Sequence, residues 1–214
     1  MARTSMETTE LIVKTMGEVA LENRTYFSEL DGVVGDGDFG ISLATGFEAV
    51  TVTKWDSLNR TNPGSFLKDV AQTFMGSVGG VTGSIWGTAF LRAGVKAGDK
   101  QVLTTDDVLE MIQSAIEGMK KRGRTDLGDK TLLDAFVPAT EEFEKMLKNG
   151  GTTLDALKSA AVVARQQTEE IKPWVAKRGR ASYTGERSCN TYDAGSIAIA
   201  VMAEKLVEIW EVNS

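Results

Sequence analysis

The sequence contains no histidine among its 214 residues. Without an imidazole the chain has no histidine base, no Ser–His or Cys–His nucleophile pair, no histidine metal ligand and no phosphohistidine. Zinc hydrolases with histidine ligands are therefore excluded. Chemistry at this chain must rest on carboxylates, a metal ion, hydroxyls, backbone amides and arginines, or a partner must bring the base.

Other features are also scarce. The single cysteine, Cys189, excludes an internal disulfide and favours a reducing, cytoplasmic setting. Apolar runs are far shorter than a membrane span and the N-terminus has no signal-peptide pattern, so we expect no membrane segment. A net charge of −6 argues against a nucleic-acid partner. The length and 42% hydrophobic content predict a single domain, residues 1–214, with a sizeable core.

Apolar residues recur at three- and four-residue steps along most of the chain, and no stretch alternates strongly as a strand does. We therefore predict an all-α fold of about eight helices. The first helix is predicted at residues 7–30 and the second at about 40–54. Asn62, Thr104 and Thr152 stand where further helices are predicted to begin.

Acids and glycines are concentrated in residues 30–40, Leu-Asp-Gly-Val-Val-Gly-Asp-Gly-Asp-Phe-Gly. Three carboxylates, Asp31, Asp36 and Asp38, repel one another at this spacing unless something offsets their charge. A solvated acidic turn is one interpretation. The other is a hard-cation site, because Mg²⁺ prefers carboxylate oxygens and leaves positions open for water or phosphate.

Three known motifs share features with this acidic loop. Gly35, Gly37 and Gly40 match the dinucleotide fingerprint in spacing, but that motif requires a strand before it and a helix after it. An EF-hand counted from Asp36 would have Phe47 at its twelfth position instead of glutamate. A Walker loop needs Gly-Lys-Ser/Thr, which the chain does not contain.

Three further loops are rich in glycine or charge. In residues 76–84 small residues could expose backbone amides to phosphate or could permit a close helix crossing, and both remain open. The basic run at 120–124, which enters the loop at 123–131, suits a helix C-terminus. Residues 177–195 are too long and polar for a simple connector. If the helices run up and down, these loops and the acidic loop share one end and predict a Mg²⁺–nucleotide site without a P-loop, with Arg178 or Arg180 near the distal phosphate charge.

Together these motifs resemble the nucleotide-binding L subunit (DhaL) of dihydroxyacetone kinase. The residues that carry the resemblance span nearly the whole chain: Leu30-Asp31, Gly35-Asp36-Gly37-Asp38-x-Gly40, Ser77-Val78-Gly79-Gly80-x-x-Gly83, Gly87-Thr88, Gly128-Asp129-Lys130-Thr131, Gly179-Arg180-Ala181-Ser182-Tyr183-x-Gly185-Glu186-Arg187-Ser188 and Asp193-x-Gly195.

The resemblance implies an eight-helix antiparallel barrel with ADP or ATP bound at one end. It implies two Mg²⁺ ions held by Asp31, Asp36 and Asp38, and no catalytic residue in this chain. The nucleotide contacts that it implies are Phe39, Gly40, Ile41, Ser42, Gly79, Gly80, Val81, Thr82, Gly123, Leu132, Arg180, Asp193, Ala194 and Gly195.

The resemblance also implies a partner K subunit that holds dihydroxyacetone covalently on its own histidine, which fits a chain without histidine. In one branch of the family bound ADP is recharged by a phosphohistidine carrier subunit, and in the other ATP exchanges freely. A homo-oligomer is compatible with either branch.

Two departures from the family pattern affect the predicted substrate. Phe39 stands where the family usually has histidine, and residues 188–195 lack the usual histidine and proline. A related ketose or tetrulose kinase, acting on a sugar such as erythrulose, would keep the three aspartates and alter this rim. A regulatory module that uses bound nucleotide to grip a partner protein is the alternative from another class.

Overall fold

A computed structural model describes residues 3–212. All regular elements in this range are helical, and no strand occurs in it, so the all-α prediction is confirmed. No helix in the same range is long and apolar enough to cross a membrane. The α-helices are α1 (Ser5–Glu22), α2 (Arg24–Gly32), α3 (Phe39–Glu48), α4 (Pro63–Ser77), α5 (Gly80–Ala97), α6 (Thr105–Gly123), α7 (Leu133–Lys148), α8 (Thr153–Glu170) and α9 (Ala194–Val212).

The chain forms two compact units. The first comprises residues up to Leu21 and residues 42–124. In it, helix α5 packs against both α4 and α6. Its core contains an aromatic cluster whose rings meet mainly edge to face, the arrangement that ring quadrupoles favour. The members of this cluster are Phe47, Phe74, Trp86 and Phe90.

The second unit comprises residues 22–41 and the chain from Thr125 onward. Helix α8 packs against α7 and α9, and α2 packs against α9. Alanine is frequent on the buried faces of α8 and α9, and small side chains let helix axes approach closely. The largest fully buried side chains of this unit are Phe27, Leu133 and Ile171.

The prediction of one helix over residues 7–30 was wrong at Asn23. The helix ends at Glu22, and α2 begins at Arg24 with Asn23 as its N-cap residue at φ −101° and ψ 14°. The Asn23 side chain makes no capping hydrogen bond, so an encoded cap does not explain the break. The break lets α2 belong to the second unit while α1 up to Leu21 belongs to the first.

The second predicted helix is α-helical only as far as Glu48. Residues Ala49–Thr53 form a π-helical turn, which closes with a bond from Lys54 N to Ala49 O of 2.9 Å. Four of these five residues have β-branched side chains, which are crowded in a regular α-helix. The Thr51 hydroxyl also donates to Phe47 O at 2.8 Å.

Helix starts at Asn62, Thr104 and Thr152 are confirmed. Asn62 Oδ1 accepts from Ser65 N at 2.7 Å, with Pro63 in the first turn. Thr104 and Thr152 each form a capping box, in which the threonine hydroxyl accepts from the third amide of the helix and an aspartate there accepts in return.

Candidate metal and nucleotide site

The acidic loop folds back on the end of α2. Val34 N and Gly35 N both donate to Asp31 O, at 3.2 and 2.6 Å. A Cβ on Gly35 would overlap Asp31 Oδ1, and Gly37 has φ +72°, a conformation that L side chains rarely adopt. These two glycines are therefore required for the turn that follows Asp31.

This turn brings the three predicted metal ligands together. One carboxylate oxygen each from Asp31, Asp36 and Asp38 lies within 4.8 Å of the others. Asp31 is half-buried, and Asp36 and Asp38 are exposed. An all-carboxylate oxygen set suits a hard cation such as Mg²⁺. The clustering agrees with the hard-cation hypothesis, and the assignment of a metal to these residues stays a prediction.

The pKa of the Asp31 carboxyl is shifted by its surroundings. Burial raises its pKa above the ordinary value, the amide of Phe39 opposes this increase, and the charges of Asp36 and Asp38 add to it. The Phe39 amide donates to Asp31 Oδ2 at 3.4 Å. A cation bound here would offset both the cost of burying a charged carboxylate and the repulsion among the three carboxylates, so these residues fit a metal ion.

The dinucleotide fingerprint is excluded as an explanation of this loop. It requires a strand before the first glycine, and Gly35 follows helix α2 in a part of the chain where the described residues contain no strand.

Arg180 lies beside the carboxylate cluster. Its Nε is 3.0 Å from Asp36 Oδ2, across 144 positions of sequence. Both side chains are well exposed, so the pair contributes little to stability and is free to exchange partners. Arg180 begins a run of 3₁₀ turns, Arg180–Ser188, with a kink at Gly185. The segment 177–195 thus brings a guanidinium to the acidic loop, as predicted.

Lys130 organises the same segment and was not predicted from the sequence. Its ammonium donates to the carbonyl oxygens of Lys172, Trp174 and Ser188 at 2.9, 2.9 and 2.5 Å. Burial lowers the pKa of Lys130, and the charges of Asp193 and Cys189 oppose this decrease. Although Lys130 belongs to a recognised motif, no local pattern signals that a lysine will be buried.

Asp193 caps helix α9. Its carboxylate accepts from Ser196 N at 2.6 Å, and its carbonyl accepts from Ile197 N at 3.1 Å. Burial of the carboxyl raises the Asp193 pKa to about 7, the Ser196 amide opposes this, and the charge of Asp134 adds to it. At neutral pH this cap is therefore only partly ionised.

The turn 193–195 packs against the start of α7. A Cβ on Gly195 would lie 3.0 Å from Leu132 Cβ, and Ala194 is buried. Leu132, Asp193 and Gly195 are thus neighbours, as a shared ligand would require. The charge of Asp31 also raises the Asp193 pKa, so this turn lies within electrostatic range of the carboxylate cluster.

The first turn of α3 packs tightly on α2. A Cβ on Gly40 would overlap Arg24 O, so only glycine permits this crossing. Ile41 N donates to Ser28 Oγ at 3.2 Å, and the Phe39 ring lies 6.3 Å from the Phe27 ring. A shallow cavity beside Ile41 is lined by Arg24, Thr25, Ser28, Glu29 and Ile41.

The remaining predicted contacts belong to the first unit. Gly79 caps helix α5, Gly80 has φ +68°, and added Cβ atoms at either would meet nothing within 4 Å. By contrast, a Cβ on Gly83 would overlap Val78 O, and one on Gly87 would overlap Met75 in α4. The close-packing interpretation therefore holds at Gly83 and Gly87, whereas contact of the exposed Gly79 and Gly80 amides with phosphate stays a prediction.

The last four predicted nucleotide contacts also lie in the first unit. Val81 is 67% exposed, whereas Ser42, Thr82 and Gly123 are half-buried. The role of all four as nucleotide contacts stays a prediction.

Comparisons with known proteins agree with the resemblance noted in the sequence. A family model described as DAK2 domain matches residues 33–208. The ADP-binding subunit DhaL of the PEP-dependent dihydroxyacetone kinase of Escherichia coli (strain K12) is 32% identical over 190 residues, 89% of this chain and 90% of that protein. The L-erythrulose kinase of Pectobacterium atrosepticum is 31% identical over 87% of this chain but only 32% of that protein.

A solved structure has the same fold. The dihydroxyacetone kinase from C. freundii, in complex with AMP-PNP and Mg²⁺, superimposes with a TM-score of 0.71 and 24% sequence identity. The match covers 92% of this chain and 33% of that one.

Proposed function

The chain belongs to the DAK2 domain family, and from this premise we propose that it is the Mg²⁺-dependent, ADP- or ATP-binding subunit of a dihydroxyacetone kinase. It would act as one nucleotide-binding domain and take part in phosphoryl transfer to a ketose. The observation that carries the proposal is the convergence of Asp31, Asp36 and Asp38 within 4.8 Å in a relative of ADP-binding subunits.

Different residues would bind the metal, the phosphates and the remainder of the nucleotide. Asp31, Asp36 and Asp38 would hold Mg²⁺, which we propose as two ions, and bound Mg²⁺ would neutralise charge on the phosphate oxygens. Arg180 would add positive charge at the cluster. The amides at Gly79 and Gly80, and the turn at 193–195, are the proposed contacts to the remainder of the nucleotide.

The chain would depend on partners for the rest of the reaction. It contains no histidine, so a K subunit would have to hold the ketose and supply any base. The E. coli relative is described as PEP-dependent, which supports a phosphohistidine carrier as the source of phosphoryl groups. A cytoplasmic location belongs to the same proposal.

Two ketoses are candidates for the substrate. Dihydroxyacetone is favoured by the E. coli relative, which this chain matches over nearly its whole length. An erythrulose-type sugar is favoured by Phe39, which replaces the family's usual histidine, and by a relative described as L-erythrulose kinase. Assays with the K subunit and each sugar would decide between them.

The experiment that tests the proposal is calorimetric titration of the purified chain with ADP and ATP, in Mg²⁺ and then in EDTA. We expect saturable binding in Mg²⁺ that is lost in EDTA. Tight ADP that survives purification and leaves only on chelation would favour a carrier-fed enzyme, and exchangeable ATP would favour an ATP-fed one. No binding under any condition would refute the proposal. Binding without phosphoryl transfer, even with a K subunit, would favour a regulatory module.

Substitution of single ligands should test the metal site directly. We expect Asp36→Asn and Asp38→Asn each to weaken Mg²⁺–nucleotide binding by about 100-fold or more, because each removes an ionic ligand. Asp38→Asn separates this effect from the Asp36–Arg180 ion pair. The control is Asp99→Asn, an exposed position in the first unit. Unchanged nucleotide affinity in a folded Asp36→Asn variant would contradict the assignment.

A further inference from the structure

The Lys130 side chain joins three points of the segment that carries Arg180. Its ammonium binds the carbonyl oxygens of Lys172 and Trp174 on one side and Ser188 on the other. An ammonium has three N–H donors, so every donor is used. The two ends of residues 172–188 are thereby tied to one atom.

Lys130 occupies an energetically costly position. Its side chain is 2% exposed, and its backbone has φ +60°, in the left-handed region that non-glycine residues avoid. Burying an ammonium is also unfavourable unless it is fully hydrogen-bonded. The three hydrogen bonds offset the cost of burial, and the positive φ remains. A lysine in this conformation outside the predicted ligand set is explained by the segment that it holds in place.

Further hydrogen bonds hold residues 172–188 in place. Ala176 N donates to Ser188 Oγ at 2.9 Å, and that hydroxyl donates to Gly185 O at 2.6 Å. Lys177 N donates to Asp129 O at 3.0 Å, beside Lys130 in sequence. Arg180 lies between these bonded points, and its guanidinium reaches Asp36 at 3.0 Å.

We infer that Lys130 is a positioning residue that clamps residues 172–188 and thereby sets the Arg180 guanidinium beside the carboxylate cluster, where it strengthens the binding of a metal-bound nucleotide. The inference rests on the proposed function, since it assigns Arg180 to nucleotide binding. Lys130 itself acts only through the segment.

A double-mutant cycle tests the coupling between Lys130 and Arg180. Lys130→Met removes the three donors and nearly preserves the length of the side chain. We expect it to weaken Mg²⁺–ADP binding about tenfold in the wild-type background and less than about twofold in an Arg180→Ala background. Equal weakening in both backgrounds would mean a general structural effect and would overturn the inference.

Amide hydrogen exchange tests the clamp without any nucleotide. In Lys130→Met we expect exchange across residues 174–189 to accelerate about tenfold or more, because the segment loses its common attachment. Thr140→Val is the matched control: it removes another buried polar contact of the same unit, the bond from Thr140 Oγ1 to Phe136 O, and should leave this segment protected. Unchanged exchange in Lys130→Met would overturn the clamp.

Two further outcomes are informative. If Lys130→Met does not fold, Lys130→Gln, which keeps two donors on a shorter side chain, is judged by the same criteria. A wild-type chain that binds no Mg²⁺–ADP would refute the proposed function and the role given to Arg180, whereas the exchange measurement would still decide whether Lys130 holds the segment.

Discussion

At the scale of single residues, Asp193 combines two properties that oppose each other. As the cap of α9 its carboxylate accepts from Ser196 N, which favours ionisation. Burial and the charge of Asp134 favour the protonated acid instead, and they raise the pKa to about 7. The balance gives Asp193 a charge in the folded chain that depends on pH near neutrality.

Asp193 should therefore lower stability as pH rises. Its folded-state pKa of about 7 lies above its ordinary value of 3.8, so between these values the unfolded chain releases a proton that the folded chain retains. Stability contributed by the protonated acid is complete below about pH 4, decreases as pH rises to 7 and is lost above it. In EDTA we expect Asp193→Asn to match the wild type near pH 4 and to exceed its free energy of unfolding by about 2 to 4 kcal/mol at pH 8.

Urea unfolding of both proteins from pH 4 to 8 measures this difference. Asparagine keeps the cap and is neutral throughout, so the variant isolates the ionisation of Asp193. Asp99→Asn, at an exposed position, should follow the wild-type curve. A difference between Asp193→Asn and the wild type that does not change with pH would contradict the prediction.

At the scale of elements, helix starts could be predicted where a cap is encoded locally. Thr104 and Thr152 form capping boxes with aspartates three positions later, and both were recognisable in the sequence. The break at Asn23 was not, because the apolar periodicity continues through it. The position of the break depends on tertiary packing, because the residues before it belong to one compact unit and those after it to the other.

The cap of α8 gives a test with a close control. Thr152→Ala removes the hydroxyl that accepts from Asp155 N at 3.1 Å and donates to the Asp155 carboxylate at 2.7 Å. We expect a loss of about 1 kcal/mol in the free energy of unfolding. Thr153→Ala, one residue later and equally exposed, should cost less than about 0.5 kcal/mol. The measurement is chemical denaturation, and equal losses for the two variants would argue against the capping box.

At the scale of the whole molecule, the absence of histidine limits what the chain does alone. Asp31, Asp36 and Asp38 are proposed as metal ligands and Asp193 caps α9. The cavity beside Ile41 in the described residues is shallow and lies next to α2. We expect the isolated chain with Mg²⁺–ATP to produce no dihydroxyacetone phosphate, and a K subunit to restore turnover. Phosphorus NMR of the reaction mixture checks this. Product formed by the homogeneous chain would contradict it.

The carboxylate cluster could be predicted because its members are close in sequence. Asp31, Asp36 and Asp38 fall within eight positions, and the glycines between them permit a tight turn. The sequence could not show which glycines of this loop are closely packed. Whether an added Cβ would meet open space, as at Gly79, or a neighbouring atom, as at Gly83, depends on how α4 and α5 pack.

The sequence by itself determined the helical class, the encoded caps, the carboxylate cluster and the lack of an imidazole base, since each depends on composition or on residues a few positions apart. Only the tertiary structure decided the rest. Lys130 meets carbonyl groups 42, 44 and 58 positions away, and Arg180 reaches Asp36 from the other end of the chain. Burial raises the Asp193 pKa only after the elements around it have packed. Such contacts join segments that no local pattern connects, so they exist only once the chain has folded.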